Sequence, residues 1–66
     1  MTYPRTSLHI ALTPEQTTRT WHWSVVYIDP ITHESRTLAM DTAYSCSAAA
    51  VMAEQALMMH EEGNYA

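Results

Sequence analysis

The chain has 66 residues, 47% of them hydrophobic and 15% charged, with a formal net charge of −4. That length allows one domain and excludes large enzyme scaffolds such as dinucleotide-binding folds and (β/α)8 barrels, while the apolar and aromatic content argues against disorder. Three arginines without a lysine, against seven acidic residues, exclude the clustered basic face that nucleic acid or anionic lipid requires; an acidic surface suits a basic protein partner.

Residues 7–12, SLHIAL, alternate Leu8, Ile10 and Leu12 with His9 and Ala11, the period of a half-buried strand. Thr13-Pro14-Glu15-Gln16 interrupts that pattern, because proline cannot donate to a ladder and fits a turn. Residues 20–29, TWHWSVVYID, are rich in aromatic and β-branched side chains and read as a central strand. Regular alternation puts Trp21, Trp23, Val25 and Tyr27 on one side. A bulge near Val25-Val26 instead groups Trp21 and Trp23 with Val26 and Ile28, and both arrangements fit the residues.

Asp29 to Glu34 forms the next connection, since Asp-Pro initiates turns. Residues 35–41 then make a shorter strand with Leu38 and Met40 on one face. Two short connections in succession imply an antiparallel meander.

From Ser45 the composition changes to the helix formers Ala, Met, Leu and Glu. A helix is expected over 45–62, with Thr42 or Ser45 as N-cap and Gly63 beyond its end. A helical wheel gives Ala48, Ala49, Met52, Ala53, Ala56 and Met59 as the inward stripe. The expected fold class is α+β: a three-stranded antiparallel β-meander with one C-terminal helix packed on one face, β-β-β-α.

Few residues are spaced for chemistry. His9, His22, His33 and His60 lack the close pair typical of zinc sites. Cys46 has no histidine locally placed to activate it and reads as a small packing residue, dispensable for function. A lone cysteine also excludes an intrachain disulfide. Glu61 and Glu62 do not form a paired-carboxylate site, and so short a chain has little room for a concavity of several hundred Å3. The expectation is a non-enzymatic protein without metal or cofactor. The opening MTYPRTSLHIAL lacks a signal peptide's apolar segment, and no run is long enough to span a bilayer, so the expected location is cytoplasmic.

The helix carries more apolar residues than one buried face needs. Val51, Leu57 and Met58 flank the Glu54 side, with Glu61 nearby, and methionine is frequent at adaptable binding surfaces. Val51, Glu54, Leu57, Met58 and Glu61 are therefore the candidate partner-binding residues. The open sheet face, where His9 and His22 could lie across from one another, is the second candidate. A homo-oligomer, joined through the helix or a sheet edge, is the alternative to a foreign partner.

The acidic chain, its β-β-β-α plan, the WHWSVVYID strand and the Ala- and Met-rich terminal helix resemble small proteins encoded by bacteriophages and prophages. Among these it is similar in size, charge and architecture to anti-CRISPR proteins. The resemblance implies an inhibitor in the host cytoplasm that binds a CRISPR effector subunit by protein contact. Seven scattered acidic groups do not suit DNA mimicry, so the implied action is occluding or locking a protein surface. No site residue follows from the resemblance.

Overall fold

Three stretches of period two, joined by two tight connections, fold into an antiparallel meander. A computed structural model describes residues 2–62. Strands β1 (Leu8–Glu15), β2 (Thr20–Ile28) and β3 (Ser35–Ala43) form one sheet in the order β1-β2-β3, and helix α1 (Cys46–His60) follows. This is the expected β-β-β-α architecture. A short 3-10 turn, Arg5–Ser7, precedes β1. The expected cap at Gly63 lies outside the described residues.

β1 runs through Pro14, where the sequence suggested a turn. It pairs with β2 without a shift, from Leu8 opposite Tyr27 to Glu15 opposite Thr20. Proline is tolerated because β1 lies at the edge of the sheet, where a missing N–H need not break a ladder. The chain reverses at residues 16–19 instead, where Arg19 takes φ 57° and the Glu15 carboxylate accepts the Thr17 N–H at 3.2 Å.

The second connection is built around Asp29. Its carboxylate accepts the N–H groups of Ile31 and Thr32 at 2.8 and 3.1 Å. Its carbonyl accepts the His33 N–H at 2.9 Å. His33 takes φ 63°, a left-handed conformation that returns the chain toward β3.

β2 keeps its alternation throughout. The irregularity at Val25/Val26 belongs to β3: Val25 faces Ala39, Val26 faces Thr37, and Leu38 is the extra residue. Trp21, Trp23, Val25 and Tyr27 therefore share the helix side, and Val26 and Ile28 the open side. The bulge also separates Leu38 from Met40, which the sequence placed on one face. Leu38 packs against the core, whereas Met40 is 71% exposed.

Ser45 is the N-cap of α1, its hydroxyl accepting the Ala48 N–H at 3.1 Å; Thr42 is still in β3. The helix buries Ala49, Ala53 and Leu57, a row of four-residue spacing suited to packing along a groove. They join Leu8, Trp23, Val25 and Ala43 in the core. The expected stripe was therefore rotated by roughly a fifth of a turn. Ala48, Met52 and Met59 are exposed, and Leu57, expected at a partner surface, is 1% exposed. Fixing a buried leucine costs about 0.5–1 kcal/mol of rotamer entropy, against about 1.5–2 for methionine. Alanines beside it let α1 lie close to the sheet over Trp23. The buried Trp23 indole N–H has no hydrogen-bond partner, so this residue contributes through area and packing.

Leu57→Ala should cost about 2–5 kcal/mol, comparable to the ~3–5 kcal/mol that a core of this size supplies. Met59→Ala should stay within about 0.5 kcal/mol. Urea titrations of both variants check the helix phase; the reverse order of losses would return Met59 to the core. Trp23→Ala, at about 3–5 kcal/mol, should leave little folded protein by circular dichroism.

Candidate interaction surfaces

The segment before β1 straps the end of α1. Tyr3 donates its N–H to the His60 carbonyl at 2.8 Å, and its own carbonyl accepts the Glu62 N–H at 2.7 Å. These bonds satisfy backbone groups at the helix end. They also bring Arg5 within 3.9 Å of the Glu54 carboxylate and 3.6 Å of the Glu61 carboxylate. Both acids expected to face a basic partner thus already share a cation from their own chain. The pairs are partly exposed and contribute little to stability.

Beyond Glu54, the outward side of α1 is apolar. Val51, Met52, Met58 and Met59 are 57, 37, 46 and 80% exposed. Residues 51, 52, 55, 58 and 59 repeat at helical spacing, forming one ridge interrupted by Gln55. Of the candidate residues, Val51, Glu54 and Met58 are exposed on this outer side. Glu61 lies just past the helix, half-buried against Arg5. Leu57 is in the core and unavailable to a partner. A helical wheel puts Met52 and Met59 inward because α1 has two apolar stripes. Their recurrence with Val51 and Met58 was the available signal, but period alone does not say which stripe meets the sheet.

The open sheet face has half-buried Val26 and Ile28 on its central strand and exposed Met40 and Ala11 on the flanking strands. His9 and His22 share this face but do not meet. His9 is opposite Val26 and His22 is opposite Thr13, about 13 Å apart along the sheet. His22 instead lies 3.8 Å from the Glu15 carboxylate. Among the described residues, no three His, Cys, Asp or Glu side chains converge as metal ligands. Cys46, expected as a small packing residue, is instead exposed in the first turn of α1.

A concavity of about 320 Å3 is lined by Tyr3, Tyr27, Asp29, Glu34, Ser35 and Arg36, larger than so short a chain was expected to form. The Tyr3 and Tyr27 rings lie 4.3 Å apart at 33°. Burial, then the Asp29 charge and hydrogen bond, raise the Tyr27 pKa above its ordinary value. The Ile31 and Thr32 N–H groups, with the Tyr27 hydroxyl, lower that of Asp29. Near neutral pH the phenol therefore keeps its proton and the carboxylate stays ionised. Neither is tuned toward the neutral range where general acid–base groups work best. Their geometry serves to hold the β2–β3 turn.

No known protein-family model, curated protein or solved structure matches the chain. No helix among the described residues is long and apolar enough to cross a membrane.

The Asp29 carboxyl should titrate, by NMR, with a midpoint below its ordinary value of 3.8. A lowered folded pKa means that its stabilisation is present above 3.8 and is lost as pH falls through the folded midpoint. Asp29→Asn should remove that part of the acid dependence; an unaltered acid profile would mean that the turn does not depend on the carboxylate.

Proposed function

We propose that this chain is a non-enzymatic binding protein acting by protein–protein contact, and that the outer ridge of α1 is its recognition surface. The carrying observation is the exposure of Val51, Met52, Met58 and Met59 on a helix whose other side already closes the core. A helix packed on one sheet needs a single apolar stripe. The second adds nothing to this core, and its methionines adapt readily to a partner's shape.

The net charge of −4 favours a basic protein surface over nucleic acid or membrane. The resemblance to anti-CRISPR proteins supplies the specific form of the reading: a phage-type inhibitor in the bacterial cytoplasm that occludes or locks a nucleic-acid-binding effector through one of its subunits. The half-engaged Glu54 and Glu61 rim the ridge and steer encounter less than free carboxylates would; affinity comes mainly from apolar contact.

Expression in bacteria whose CRISPR systems restrict a phage tests this form. Plaque counts should rise with the wild-type chain and stay low with the double variant Val51→Glu/Met59→Glu. That variant should keep the wild-type circular dichroism, because both positions are exposed. Restriction undiminished across the effector types would remove the CRISPR form. Relief that survives in the double variant would move the surface off the ridge.

A further inference from the structure

The two edges of the sheet differ. β1 carries Pro14, which removes a donor. β3 spans Ser35–Ala43 without proline or lysine and has a strand neighbour on one side only. A long edge strand offers unpaired N–H and C=O groups to another strand. It is guarded by the bulge at Leu38 and by the Asp41 carboxylate, which accepts the Thr42 N–H at 2.8 Å, and that bulge makes the strand self-complementary.

Arg36 is opposite Tyr27 and Asp41 opposite Trp23, so both lie on the helix side. Thr37, opposite Val26, and Met40, opposite Ser24, lie on the open side. Leu38 and Ala39 both pack against the core. From 36 to 41 the order of sides is helix, open, helix, helix, open, helix, which reads the same in either direction. In a strand without the bulge, positions 36 and 41 would face opposite ways and could not be paired in one antiparallel register.

We propose that β3 pairs antiparallel with β3 of a second copy of this chain, about a two-fold axis between Leu38 and Ala39. In that register Arg36 of each copy stands opposite Asp41 of the other, and Thr37 stands opposite Met40. Neither Arg36 nor Asp41 has an ion-pair partner among the described residues. Opposite charges on directly facing strand positions attract, and like charges there repel. Symmetry supplies the attraction twice. The product is a six-stranded sheet with both α1 helices on one side and their outer ridges outside the strand pairing. This pairing uses neither the ridge nor a foreign partner. A strand edge with few large side chains makes a small interface, so the dimer dissociates on dilution.

Sedimentation equilibrium of the full chain from about 10 μM to 1 mM at low salt tests this, a range that brackets a weak dimer. Cys46→Ser in every sample removes disulfide-linked pairs. The mass should climb toward two chains with concentration. Arg36→Asp and Asp41→Arg should each weaken the dimer about tenfold or more, and combining them should restore it, because the swap re-forms both opposite-charge pairs. A monomer throughout, a dimer indifferent to the single reversals, or a double swap that stays weak would each overturn the proposal. Circular dichroism checks that the reversals fold. If one does not, hydrogen exchange on the unaltered surface decides. The β3 amides that point away from β2 should gain protection as concentration rises, and constant exchange would overturn the pairing.

Discussion

Unbroken alternation along β2 is the constraint from which the rest of the molecule follows. With Trp21, Trp23, Val25 and Tyr27 on one side, the helix has one face on which large apolar area can be covered. β1 follows in register, placing Leu8, Ile10 and Leu12 toward the same side. The mismatch between β2 and β3 must then be taken up in β3. An extra residue there bends an edge strand, whereas the same irregularity in β2 would have turned Val25 and Tyr27 away from the side that Trp21 and Trp23 share. Placing the bulge at Leu38 keeps Val25 fully buried.

The helix responds to that surface. Two stripes of α1 are apolar, and the one that docks combines Ala49 and Ala53 with Leu57. Alanine loses no rotamer freedom on burial and leucine little, while each methionine loses more. The close approach allowed by alanine accommodates Trp23 beneath the helix. Docking this stripe leaves Val51, Met52, Met58 and Met59 outside. The exposed ridge is thus a direct consequence of the packing solution, and its flexible side chains suit a contact that must adapt.

Charge is distributed by the tertiary fold in a way composition does not reveal. The formal charge of −4 suggests free carboxylates, yet the N-terminal strap brings Arg5 to Glu54 and Glu61. Asp29 is committed to the turn that joins β2 to β3. Arg36 and Asp41, distant in any helical or simple strand pattern, come to the same side of β3 because a bulge lies between them. Around Arg5, local electrostatics therefore depends on a contact between segments far apart in the chain.

Periodicity and turn chemistry by themselves determined the three strands, their order and the terminal helix, because each depends on neighbours a few positions away, and narrowed the cap to Thr42 or Ser45. The excess of apolar residues on α1 was legible for the same reason, and with it the exposed Val51 and Met58. The reach of β1 through Pro14, the phase of the helix, the burial of Leu57 and the exposure of Met52 and Met59 were decided only in three dimensions. A proline is costly or harmless according to whether its strand is central or at an edge. A helix with two apolar stripes turns whichever one fits the sheet with the least entropy lost and the closest contact. Those quantities belong to pairs of surfaces, and no period within one segment contains them.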